Sequence, residues 1–176
     1  MSTMTTFKGR KFDPMKISEE DICIEDIAHA LSLICRGNGQ VKYFYTVGQH
    51  SINCAKEAKA RGWSERLQLI CLLHDASEAY IADIIRPVKP HLTNYLEIEK
   101  NVMDCIQKVF RVWPLTADED VKWKEIDDAI LVYELKYLMQ GEENRELPVL
   151  ASVPDLEEKN WKSVQTEFLR LAAELG

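Results

Sequence analysis

Apolar residues recur along this chain at intervals of three and four, the spacing of one face of an α-helix. Ile24, Ile27, Ala28, Leu31 and Ile34 form the first such stripe, preceded by Ser18 and Asp21 at the spacing of a helix-start cap. Glycine and asparagine in "RGNGQ" (36–40) break that helix, because both tolerate turn geometry. A second helix is predicted over 46–59, with Val47, His50, Cys54 and Ala58 on one side. Ser64 caps a third, which carries Leu67, Ile70, Cys71 and His74. The stretch "IRPVKPHL" (85–92) is a loop, since Pro87 and Pro90 cannot sit inside a helix. A long helix over 93–110 turns Leu96, Val102, Ile106, Val109 and Phe110 inward, and 118–139 reads as helix after the break "WPLTADED". "ENRELPVLASVPD" is a loop, and a last helix over 155–175 aligns Trp161, Val164, Phe168 and Leu171. With an irregular arm at 1–17, the pattern predicts one all-α domain over 1–176, a helical bundle of six or more helices.

Several polar residues interrupt the apolar stripes. In "CLLHDASEAYIADI" (71–84), His74 and Asp75 follow Cys71, Leu72 and Leu73 directly, with Glu78 and Asp83 close behind. Burying one unpaired charge costs several kcal/mol, so water, a salt-bridge network or a metal ion has to compensate. His50 shares the face of Val47 and Cys54, three and four residues away. In "WKEIDDAILVYELKYLM", with Ile126 set at about 0° and roughly 100° per residue, the apolar set Ile126, Ile130, Leu131, Tyr137 and Leu138 spans roughly 0° to 140°. Asp127 falls at about 100°, inside that arc, Asp128 at about 200°, outside it, and Glu134 at about 80° also points inward. His50, His74, Asp75 and Asp127 are thus expected to meet in one core from three helices. Two carboxylates and two neutral imidazoles balance a divalent cation and leave two octahedral positions for water and a substrate oxygen. Such donors suit Mn, Fe, Co, Ni or Zn better than calcium.

Composition narrows the setting. Hydrophobic residues make up 46% of the 176 and charged residues 29%, as in a globular domain large enough to bury a core. A formal net charge of -7 argues against a nucleic-acid polymer or an anionic membrane as partner, but not against a small phosphorylated ligand. No apolar run reaches the roughly 20 residues of a membrane span, and the N-terminus has no signal-peptide core. The five cysteines (23, 35, 54, 71 and 105) are odd in number, never form CxxC, and mostly occupy apolar positions. They read as small hydrophobes in a reducing cytoplasm. His29 reads as a packing residue and His91 as solvent-facing.

The strings "YTVGQHS", "LLHDASEAYIADIIRPVK" and "KEIDDAILVYEL" resemble the HD-domain phosphohydrolases, in particular the compact branch similar to bacterial 5'-deoxynucleotidases and phage deoxynucleotide triphosphohydrolases. The likeness covers roughly residues 24–140 and implies an HD-type bundle. By that resemblance His50, His74, Asp75 and Asp127 are the metal ligands, and Glu78 is the acid that handles a water or leaving-group proton. Asp83 is a second acid near the attacking water. Arg36 and Lys89 lie where the branch places cations toward the substrate phosphate. The implied activity is metal-dependent hydrolysis of (deoxy)nucleoside 5'-monophosphates, with Mn, Co, Fe, Ni, Zn or Mg as cofactor; triphosphohydrolysis on the same site is the alternative. A departure bears on substrate choice: Arg36 is followed by Gly37 and Asn38, where nucleotidase-type members often carry an aromatic residue. Members often form homodimers, which extends that expectation to this chain. A non-catalytic module in which metal only stabilises the fold is the reading of another class.

Overall fold

A computed structural model describes residues 3–176; the first two positions of the predicted arm lie outside the described residues. Among the described residues, seven α-helices take up about half of the chain: α1 (Ile24–Leu31), α2 (Val47–Ala60), α3 (Glu65–Leu73), α4 (Glu78–Ile81), α5 (Thr93–Val109), α6 (Ala117–Leu138) and α7 (Trp161–Leu175). The all-α bundle expected from the periodicity is therefore present. Among the described residues, no helix is long and apolar enough to cross a membrane.

Local chemistry explains most of the boundaries. Thr46 caps α2 through a reciprocal pair: its hydroxyl accepts from the Gln49 amide at 3.1 Å, and the Gln49 side chain accepts from the Thr46 amide at 3.3 Å. Thr116 and Glu119 open α6 the same way, and the Ser64 hydroxyl caps α3 at the Leu67 amide. Between α1 and α2 the chain turns on Gly37, Asn38 and Gly39, all with positive φ (58°, 53° and 75°), a geometry that favours the residue types found there.

The differences from the sequence reading have local causes. Ser18 and Asp21 do close on each other, but they start a 3-10 turn (Glu19–Asp21), and α1 begins only at Ile24. The arm contains a short antiparallel pair, Met4–Thr5 with Lys11–Phe12. A 3-10 turn (Lys89–His91) lies inside the predicted 85–92 loop. Leu96 and Tyr137, placed inward by periodicity, are 38% and 50% exposed. The largest shift is at α7, which starts at Trp161 rather than 155.

That shift follows from the environment of α2. This helix touches α1, α3, α6 and α7, and it is buried nearly all round although its sequence, VGQHSINCAKEAKA, is rich in polar residues. Gly48 makes the approach to α1 and α7 close: a Cβ there would sit 3.1 Å from Val164 Cγ1 and 3.2 Å from the Leu31 carbonyl. The buried polar groups need partners, and three of them on one stripe find theirs in the segment before α7. Gln49 donates to the Glu157 carbonyl at 2.8 Å. Asn53 donates to the Asp155 carbonyl and accepts from the Asp155 amide, both at 3.0 Å. Glu57 accepts from the Ala151 amide (2.9 Å) and from the Ser152 amide (2.8 Å) and hydroxyl (2.6 Å). Residues 151–157 therefore run antiparallel to α2 as an extended strap, and their backbone is not free to join a helix.

Glu57 is fully buried and also accepts from Arg61 at 2.7 Å. Burial opposes its ionisation, but the two amides, the Ser152 hydroxyl and Arg61 outweigh burial and hold its carboxyl below the ordinary 4.5. Its contribution to stability is therefore complete above that value and is lost as pH falls through the lower folded-state pKa. Glu57→Ala is expected to cost about 3 kcal/mol, measured by urea unfolding at neutral pH, because it leaves several buried donors without an acceptor. The loss should shrink in acid, and the strap should become the first site of protease nicking.

Candidate metal centre and adjoining cavity

The helix carrying Leu69–Leu73 ends at Leu73, and residues 74–77 turn before α4 begins. Neighbours on a continuous helix point about 100° apart. The backbone stays right-handed through a tighter turn, the Ala76 amide donating to the Leu73 carbonyl and the Glu78 amide to the Asp75 carbonyl, and the two side chains still reach one point, with His74 Nε2 3.2 Å from Asp75 Oδ2. From α2, His50 Nε2 reaches the same point, 3.2 Å from His74 Nε2 and 3.8 Å from Asp75 Oδ2. From α6, Asp127 Oδ1 lies 3.1 Å from His50 Nε2 and 3.8 Å from His74 Nε2, while Asp128 is exposed. The four residues singled out in the sequence are thus brought together.

This donor set suits a cation. Atoms held about 2.1 Å from one ion, at right angles to each other, lie about 3.0 Å apart, close to the shortest separations here. Each imidazole has its other nitrogen engaged: His50 Nδ1 donates to Glu134 Oε1 at 2.7 Å, and His74 Nδ1 to the Cys71 carbonyl at 2.8 Å. In neutral rings those acceptors would leave both Nε2 lone pairs free to ligate an ion; without one, the anionic groups around His50 outweigh burial and Arg36 and raise its pKa well above the ordinary imidazole value, and its Nε2 bonds Asp127 Oδ1. Cys54, one turn along α2 from His50, adds a sulfur 3.6 Å from His50 Nε2. His50, Cys54 and His74 form a group whose donor atoms all lie within 4.8 Å of one another.

The two kinds of anionic donor differ in readiness. Burial opposes ionisation of Asp75, but His74, Arg36 and His50 outweigh it and hold the carboxyl well below the usual range. Asp127 is held low in the same way, against burial, by its hydrogen bond to His50 and by the charges of both histidines. Burial instead pushes the Cys54 thiol up, away from the thiolate a metal requires.

A cavity of about 780 Å³ opens beside this cluster. Glu78 and Asp83 line it, as do Arg36 and Lys89. Glu78 is 4% exposed, and its Oε2 has no hydrogen-bond partner among the described residues. Burial, then the neighbouring Asp75 and Asp83, push its pKa far up, so the carboxyl retains a proton at neutral pH. Burial also raises Asp83. Just before Asp83, Ala82 has φ 77° and ψ 156°, a conformation almost confined to glycine. Arg36 spans the floor, 3.4 Å from Asp75 Oδ2 and 3.3 Å from Glu134 Oε2. Lys89 lines the cavity but is paired with Glu99 at 2.6 Å, a partner not foreseen from the sequence.

Other contributors were also missed. Arg86 grips Asp127 Oδ2 (2.6 Å) and Asp128 Oδ1 (2.5 Å), so the adjacent aspartates have separate tasks, with Oδ1 of Asp127 left to the histidines. Glu134, recognised as inward-facing, turns out to orient His50. The order of Asp127 and Asp128 after a loop arginine carries no spacing signal for that grip, and a cysteine on an apolar stripe carries none for proximity to a metal. His29 stacks on Phe7 at 3.7 Å and meets Trp161 edge-on, a packing role; His91 is exposed. Tyr45 is buried with its hydroxyl on Glu134, and the Tyr43 hydroxyl donates to the Leu156 carbonyl. All five cysteines are free thiols.

No protein-family model matches the chain. It is 32% identical over 165 residues to uncharacterized protein YfdR of Escherichia coli (strain K12), an alignment covering 89% of this chain and 83% of that protein. The chain belongs to the YfdR family. It is also 39% identical over 108 residues to an uncharacterized protein of Rhodobacter capsulatus, across 58% of this chain and 55% of that one. The match to YfdR spans most of the bundle, so the centre described above is set in a chain related to it along nearly its whole length.

Proposed function

We propose that this chain is a metal-dependent phosphohydrolase of the HD type that hydrolyses (deoxy)nucleoside 5'-monophosphates to nucleoside and phosphate. The observation that carries the reading is the convergence of His50, His74, Asp75 and Asp127 at the edge of a ligand-sized cavity that also holds a buried, unpartnered acid, Glu78. His50, His74, Asp75 and Asp127 would hold a divalent transition metal or Mg. When bound, that ion supplies charge stabilisation at a phosphate oxygen and lowers the pKa of a coordinated water.

The remaining steps belong to side chains. Glu134 and the Cys71 carbonyl keep both imidazoles in the ligating tautomer. Asp83 orients the attacking water in line with the leaving oxygen, and Glu78 delivers the proton that the departing nucleoside needs. Arg36 is held by contacts of only 3.3 to 3.4 Å, so its guanidinium can turn toward phosphoryl oxygens without giving up strong bonds. Lys89, shared with Glu99, sets the charge at the rim.

The charge of the cavity favours a short phosphate over a triphosphate. Four Arg or Lys residues line it against seven Asp or Glu, and Arg86, Lys89 and Lys100 are each already in an ion pair. The test is to strip the purified protein with a chelator, reload it with Mn, Co, Zn or Mg, and offer nucleoside mono-, di- and triphosphates. Metal-dependent release of phosphate from monophosphates is the expected result. Release of inorganic triphosphate would establish the alternative activity, and no release from any nucleotide would leave a metal-stabilised, non-catalytic module.

A further inference from the structure

The cavity does not end at the metal centre. Its lining extends along α3, α5 and α6 to Leu73, Met103, Val112, Leu115 and Trp123, with Gln107 among them; this apolar part is termed the arm. Trp123 joins the two regions, its ring 5.5 Å from that of the ligand His74. In a wall so apolar, Gln107 stands out. Its side chain is half-buried, lines the cavity, and forms no hydrogen bond among the described residues, while its main-chain carbonyl accepts from the Val112 amide. The other polar side chains of α5 that line the cavity are engaged: Glu99 with Lys89, and Lys100 with Asp104.

We infer that this arm is the subsite for the planar base of the substrate, and that Gln107 is its specificity-determining residue. The inference rests on the phosphohydrolase reading and adds what lies beyond the phosphate. A carboxamide presents one acceptor and two donors in a plane, which matches the adjacent donor and acceptor on a nucleobase edge. The apolar lining residues around Gln107 favour a flat ring over a sugar or a charged headgroup. An alkyl group would satisfy the walls but leave the amide unpaired, a penalty that discriminates against it. The arm's continuity with the metal centre places the base and the scissile phosphate of one molecule in one cavity.

The experiment compares the full-length wild-type chain with Gln107→Leu, whose partly exposed position predicts an unchanged melting curve. Two readouts are taken on metal-loaded protein: equilibrium binding of free nucleosides, and kcat/KM for a nucleoside 5'-monophosphate, ribose 5-phosphate and an alkyl phosphate. Nucleosides should bind the wild type and bind Gln107→Leu about tenfold more weakly. The preference for the nucleotide over the alkyl phosphate should fall by at least that factor, because nucleotide turnover drops while the alkyl phosphate no longer leaves an amide unpaired. Equal nucleoside binding by both proteins, or none by the wild type, would overturn the inference. Gln107-dependent nucleoside binding without any phosphate release would uphold the subsite and remove the phosphohydrolase reading.

Discussion

Asp127→Asn protein is expected to lose its metal and its phosphate release together, while keeping its fold. Asp127 Oδ1 is one of four donor atoms at the centre, and its other oxygen is already taken by Arg86. An asparagine oxygen carries no charge to balance a dication, and its NH₂ cannot ligate. The side chain is 17% exposed and lies at the cavity wall rather than in the apolar core, so the stability loss should stay near 1 kcal/mol. Metal content by elemental analysis after gel filtration, beside turnover at saturating nucleotide, measures both effects. The companion variant Cys54→Ala decides between the two donor groups. If the carboxylates ligate, Cys54→Ala keeps its metal and loses only about 1 kcal/mol for the vacated volume. Metal retained by Asp127→Asn but lost from Cys54→Ala would instead assign the ion to His50, Cys54 and His74.

Glu78→Gln is expected to lower kcat by roughly 10² to 10⁴ with metal content unchanged, the range for loss of a general acid or base. The geometry makes this a clean separation of chemistry from binding. Glu78 is buried and its Oε2 is unpartnered, so in the folded protein it is a costly side chain whose charge is suppressed by burial, Asp75 and Asp83. An amide of the same shape removes the acid without leaving a charge behind, and the variant should be at least as stable as the wild type. The pH profile adds a second reading. A carboxyl with a raised pKa is protonated below it and ionised above it, so wild-type activity should fall as pH rises through that value. A dication at the neighbouring centre draws the value downward, toward the working range. In Glu78→Gln the alkaline limb should vanish along with most of the rate. Full activity in this variant would leave Glu78 no part in proton transfer.

The legible part of the centre was the part governed by helical spacing. His50 lies four residues before Cys54 and three after Val47, and all three are buried. The choice of Asp127 over Asp128 followed from one rotation of 100°, and the two side chains are 17% and 64% exposed. Where side chains reach across from a loop, spacing carries nothing. Arg86 meets α6 from an exposed loop, and Lys89 meets Glu99 from a 3-10 turn. Each partner is more than eight residues away in sequence, with no periodicity linking the two. The start of α7 fails for a related reason: residues 151–157 give up local hydrogen bonds for those offered by Gln49, Asn53 and Glu57.

By itself, then, the order of residues determined that this chain is helical, where most helices begin, and that His50, His74 and Asp127 face inward, with Asp75 beside His74. Those properties depend on contacts within a few residues, and local periodicity and caps encode them. Only the tertiary structure decided that the four donor atoms converge, that Glu134 and Arg86 orient two of them, that Cys54 lies alongside, and that an apolar arm leads away from the centre. Those depend on distances between helices, which side-chain packing and buried hydrogen bonds determine jointly, and no single segment encodes them.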